Sequence, residues 1–254
     1  MTIHLLPSVA LLYMLIFARV GALVMLLPGF GETAVPARIR LGFALFLALL
    51  LQPLVVKLYP AGLATRFPAA MAMLAGELTI GLFLGMATRL LLAGAQVAGA
   101  TIATQLGLGF AMTVDPTQGQ QGIIVGNFLA LLAVMLVFVG DLHHVSIAGV
   151  AHSFSLFPPG EWIPTGDFAA ATVKLVGESF EVGVRVSAPF LAFGLVFNLG
   201  LGMLQKMMPQ FQIYFAAMPL SIGLGLLLFG LVLAATMAWY ADHLRDGLGR
   251  LLGG

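Results

Sequence analysis

The sequence has no cysteine and little charge. Its 254 residues include 11 Lys and Arg and 10 Asp and Glu, 8% in all, for a net charge of +1. The absence of cysteine excludes a disulfide framework, thiolate zinc or iron–sulfur sites and a thiol nucleophile, and leaves the compartment open. Ordinary soluble domains are about a quarter charged. So few ionic groups cannot cover the surface of a water-soluble globule of this length. The near-zero net charge argues against a nucleic-acid partner. What the chain has instead is 61% hydrophobic residues, 31 glycines and 13 methionines, with a mean hydropathy of +1.08. Lipid is the solvent that fits, and glycine is common in membrane helices because it lets backbones approach closely. Methionines fill irregular cores and also suit surfaces that reseal around a variable object.

The first residues, Met-Thr-Ile-His-Leu-Leu-Pro, lack a cationic stretch, and the apolar run continues past Leu27 without an Ala-x-Ala site. It reads as a retained first span rather than a signal peptide. Windows of about 20 apolar residues, the length needed to cross the hydrocarbon core, give six segments: Leu5–Leu27, Ile39–Val56, Ala70–Leu92, Gly122–Val139, Phe168–Leu204 and Ile213–Tyr240. The fold expected is all-α, a polytopic membrane-associated set of helical hairpins. Phe168–Leu204 is charged in its first half, which suggests a long helix leaving the bilayer or two helices broken before Pro189.

Pro28 to Gly31 and Pro36 form a Pro/Gly turn that closes one hairpin. Gly94–Phe110, rich in small residues, reads as a helix buried against other helices. The stretch Gly107–Gly122 reads as a loop by its glycines, Asp115-Pro116 and its glutamines. Cationic residues do not orient the chain. Lys57, Arg66, Lys174, Arg245 and Arg250 fall on one side of a six-span arrangement, and Arg38, Arg40, Arg89 and Lys206 on the other. That balance fits helices packed within a larger assembly.

Ionisable residues in apolar segments are the functional candidates, because each is costly to hold there unpaired. They are Arg19, Glu77, Arg89 and the stripe Lys174, Glu178, Glu181 and Arg185, which occupies one helical face at i, i+4, i+7 and i+11. The stripe reads either as a subunit seam or ion path or as a solvated helix face. Arg19 and Glu77 suit a structural ion pair better than a proton relay, which one carboxylate cannot make alone. Gly81-x-x-x-Gly85 and Gly122-x-x-x-Gly126 are small-residue packing faces. Glycines 194, 200 and 202 fall opposite Gly223 and Gly225 of the following segment. Asp141, His143, His144 and His152 have metal-ligand chemistry, yet adjacent histidines on a helix point to different faces, so an interfacial loop is the expectation here. No catalytic motif, nucleotide site or cofactor signature is present.

Several strings resemble one family. They are Arg19-Val-Gly21 through Pro28-Gly-Phe-Gly31, Val35-Pro36-Ala-Arg38-Ile-Arg40, Glu77-Leu-Thr-Ile-Gly81 to Gly85, the loop from Gly107 to Asp115-Pro116, and Asn198 through Lys206, Pro209 and Pro219. Their order and spacing resemble the FliR family of flagellar biosynthetic proteins, which includes SpaR and YscT of virulence secretion. The resemblance covers nearly the whole chain. It implies a single integral membrane domain over 1–254, a FliP-like half joined to a FliQ-like half. It also implies assembly with FliP and FliQ beside FlhB and FlhA in the bacterial inner membrane, at the flagellar basal body, with unfolded export substrates in transit. No enzyme and no cofactor are implied. The family's channel plug corresponds to Gly107–Gly122, with Gly107, Gly109, Phe110, Met112, Asp115 and Pro116 as its residues. A small secondary transporter with helices broken at Pro189 and Pro219, and a metalloenzyme built on Asp141, His143 and His144, are the rival readings.

Overall fold

The computed structural model describes residues 5–32, 34–60, 63, 66–108, 124–161 and 165–253. Among these there is no strand. Seven helices follow one another: α1 Leu5–Leu26, α2 Ala37–Val55, α3 Phe67–Gln105, α4 Ile124–Val139, α5 Leu142–Leu156, α6 Thr165–Met207 and α7 Ile213–Leu248. A 3₁₀ turn, Val56–Leu58, extends α2, and a π-helical turn, Gly249–Gly253, follows α7. The chain is an all-α, membrane-embedded protein: α1, α2, α3, α6 and α7 are each long and apolar enough to cross a bilayer, and α4 with α5 makes a sixth span if the broken pair is counted as one.

Three helices are longer than their sequence windows. α3 has 39 residues and α6 has 43, about 58 and 65 Å at 1.5 Å per residue. Gly94–Gln105 is not a separate helix but the last third of α3, since nothing in Ala-Gln-Val-Ala-Gly-Ala-Thr breaks the backbone ladder. α6 runs through Pro189 and α7 through Pro219, so neither helix is interrupted as a transporter-type site requires. The segment after the fourth apolar window is also helical. Leu142–Leu156 forms α5, where an interfacial loop was expected, because from Leu142 onward no proline or positive-φ residue interrupts it until Pro158.

The chain divides into two compact units. The first comprises Met1–Leu91, Val137–Leu175 and Arg245–Gly254. The second comprises Leu92–Leu136 and Val176–Leu244. In the first unit, α1 and α2 form the hairpin, and α2 turns Ala44, Leu47, Ala48, Leu51 and Val55 inward, one stripe at 3.6-residue spacing. α3 buries Glu77, Ile80, Leu84, Ala87 and Leu91, an alternating three-four spacing that keeps one seam against its neighbours. α5 packs on the C-terminal turn, where Leu252 fills the notch left by Gly149. The second unit has its own core, in which Ile102, Leu129, Val186 and Phe190 are nearly or wholly buried.

Candidate functional site

Most of the second half of α1 is buried, and at its centre lies an arginine. Arg19 is 0% exposed. Its Nε donates to the Glu77 carboxylate on α3, itself 2% exposed. Nη1 donates to the carbonyls of Ser153 and Phe157 at the end of α5, at 2.8 and 2.9 Å. The guanidinium also lies 4.3 Å from the ring centre of Phe154, a cation–π contact strengthened by desolvation. One side chain therefore ties three helices through a charge pair, two carbonyls at the C-terminal end of α5 and an aromatic face. Burying such a pair brings little net stability, but removing one partner leaves an uncompensated charge.

Backbone geometry makes room for this centre. A Cβ on Gly81 would collide with the Arg19 carbonyl oxygen, and one on Gly85 would fall 2.7 Å from Leu26 Cβ. Glycine at both positions brings α1 and α3 into backbone contact beside the ion pair. Tyr59, just beyond α2, closes the other side. Its hydroxyl is buried and makes no regular hydrogen bond among the described residues. Burial first, and then the neighbouring Glu77 carboxylate, push this phenol well above its ordinary pKa. Glu77 also lines a cavity of about 620 Å³ with Arg66, Met73, Pro158 and Glu161.

The hairpin turn is held by arginines acting on carbonyls. Arg89 Nε donates to Leu26 O at 3.1 Å and its Nη2 to Gly31 O at 2.8 Å, with Arg40 Nη1 3.4 Å from the same oxygen. For Arg89 the partners given by the structure are thus main-chain carbonyls rather than a carboxylate. Pro28 follows the end of α1 and Pro36 caps α2, and Gly29 takes φ +83 with Phe138 packed against its Cα.

The α6 stripe lies largely on the surface. Lys174, Glu181 and Arg185 are exposed, Glu178 is half-buried, and Glu181 pairs with Arg185 at 2.5 Å. An exposed i,i+4 pair of this kind contributes a few tenths of a kcal/mol. Arg185 also lies 5.8 Å from the Trp239 ring centre.

In the second unit Gly126 packs against Gly99, backbone to backbone. Gly194 and Gly225 receive Gln105 and Leu106 from the end of α3, whereas Gly200, Gly202 and Gly223 face open space. The glycine-to-glycine approach expected between α6 and α7 is therefore replaced by α3 lying against each. Beside Gly107, at φ +80, a cavity of about 250 Å³ opens between Gln105, Phe197, Asn198, Tyr214 and Ser221. Gly109, Phe110, Met112, Asp115, Pro116 and Gly122 lie outside the described residues.

The sequence reading missed Tyr59, Phe154 and the carbonyls of Ser153 and Phe157. Carbonyl ligands carry no side-chain signature, and only the position of Phe157 before Pro158-Pro159 hinted that α5 ends there.

Comparison with known proteins gives the family. Residues 10–247 match the bacterial export proteins, family 1. The chain is 42% identical to the flagellar biosynthetic protein FliR of Caulobacter vibrioides over 91% of its own length and 92% of the relative's. It is 31% identical to that of Pectobacterium carotovorum over 90% and 86%. With the FliR protein of Escherichia coli it shares 29% identity over 95% and 91%. The chain belongs to family 1 of the bacterial export proteins, the family of flagellar biosynthetic proteins FliR, and is a component of the flagellar export apparatus.

Proposed function

We propose that this chain is a structural, pore-forming subunit of the flagellar type III export gate, assembled with FliP and FliQ beside FlhB and FlhA. In this reading it sits in the bacterial inner membrane at the basal body, and both compact units serve one gate subunit. One observation carries the proposal. From Phe180 to Met207, about 40 Å of α6, the exposed face bears Phe180, Val184, Leu195, Val196, Leu199, Met203 and Met207, each more than half exposed. An apolar face longer than the hydrocarbon core, about 30 Å, and carrying the Glu181–Arg185 pair suits cover by neighbouring helices better than cover by lipid alone.

Unfolded substrates would pass as extended chains of about 3.3–3.6 Å per residue. The stretch Gly107–Gly122 would close the path at rest. Arg19 and Glu77 take no part in transfer; they hold the first unit together. Arg89, Pro28, Gly31 and Pro36 fix the hairpin, and the Lys174–Arg185 stripe with Glu178 lies along a subunit seam.

Because the natural chain has no cysteine, a single cysteine reports unambiguously. Leu199→Cys, expressed with FliP and FliQ carrying scanning cysteines, should form a specific cross-link to one of them. If Leu199→Cys stays equally reactive towards a lipid-phase maleimide with and without the partners, and never cross-links, the proposed seam is wrong.

A further inference from the structure

The start of α5 carries three metal-ligand side chains that neither the ion-pair centre nor the export role uses. Asp141, His143 and His144 each place one donor atom within 4.8 Å of the others. The rings of His143 and His144 lie 4.1 Å apart, and His144 Nδ1 is 3.7 Å from Asp141 Oδ1. Neighbouring histidines inside a helix would diverge. Here the two side chains turn towards each other in the first turn of α5, which Asp141 enters with φ +57.

Two further observations point to a ligand. Asp141 occupies the N-cap position, where a carboxylate ordinarily accepts an amide hydrogen bond from the first turn, yet it makes no such bond. His143 Nδ1 is buried and has no hydrogen-bond partner among the described residues, which leaves that nitrogen open to a ligand. The Phe138 ring, 5.4 Å from that of His143, packs on one side of the imidazole.

We propose that Asp141, His143 and His144 bind a first-row divalent metal ion of the zinc class. Two imidazoles and one carboxylate suit Zn²⁺, Co²⁺ or Ni²⁺ rather than Mg²⁺ or Ca²⁺, which take oxygen ligands. Donors on one tetrahedral ion at 2.0–2.2 Å stand about 3.3 Å apart. Rotation of Asp141 and His144, which are 80% and 72% exposed, closes the remaining gap. Three protein ligands leave a coordination position for water, so the ion exchanges readily. It acts as a clasp on the first turn of α5, whose far end supplies the two carbonyls that hold Arg19.

The full chain, purified in detergent without a polyhistidine tag, should bind one Co²⁺ per molecule with a saturable d–d absorption band that Zn²⁺ abolishes. Asp141→Asn, which retains the left-handed backbone that Asn tolerates, and His144→Ala should each weaken binding at least tenfold with unchanged helicity and elution. His152→Ala, farther along the same helix, should leave it unchanged. Absence of a saturable band, equal binding by a His143→Gln/His144→Gln variant, or loss of binding in His152→Ala would each overturn the site.

Discussion

Arg19 and Glu77, 58 residues apart in the chain, meet as a buried ion pair between α1 and α3, and the same guanidinium holds the last carbonyls of α5. Removing either partner leaves the other charge buried without its counter-ion. Arg19→Ala or Glu77→Ala should each lower stability by about 3–5 kcal/mol, seen as a large fall in the denaturation midpoint in detergent. The double variant Arg19→Met/Glu77→Leu should recover most of that loss, since an apolar pair leaves no charge stranded. If the single variants match the natural chain, the pair is not what joins these helices.

Gly81 and Gly42 provide a matched comparison. A Cβ at Gly81 meets the Arg19 backbone carbonyl, whereas nothing lies within 4 Å of one at Gly42. Gly81→Ala should therefore destabilise the chain by more than 1 kcal/mol, in the manner of an overpacked core. Gly42→Ala, in the interior of a helix, should be neutral or slightly stabilising. Thermal unfolding of the two variants side by side decides this, and equal midpoints would refute the close approach.

Tyr59 should make stability fall at alkaline pH. Its phenol holds the proton more tightly in the folded chain than in the unfolded one, through burial and then the Glu77 charge. This contribution is complete below the ordinary phenol value of about 10 and is lost as pH rises above it. Tyr59→Phe should show a shallower decline of unfolding midpoint between pH 9 and 11. Identical slopes would mean that Tyr59 is as free to ionise as an exposed tyrosine.

Deleting the interior of the Gly107–Gly122 loop should leave assembly intact and make cells permeable to ions or small solutes. Ion-flux measurements in a strain carrying only the deleted form test the plug. Normal permeability together with normal export would remove that role.

Much of the fold is legible from apolar run length. The ends of α1 and α2 fall within two residues of their sequence windows, because Pro28 and Pro36 mark them. The full lengths of α3 and α6 are less legible. Small polar residues such as Gln96 and Thr101 end an apolar window without ending a helix, and Thr101 returns its hydroxyl to the Val97 carbonyl. The ion-pair candidates Arg19 and Glu77 stood out because charge is rare in such segments. Tyr59 did not, since its neighbour Glu77 comes from a helix that follows it in the chain. The approach of the His143 and His144 rings depends on their side-chain rotamers, which no spacing rule reports.

The central claim is membership of a gate built from unlike subunits. Native mass spectrometry of the chain, purified alone and then with FliP and FliQ, tests it most directly. The account predicts a discrete hetero-oligomer that contains one copy of this chain. A stable monomer or homodimer that ignores both partners would contradict it.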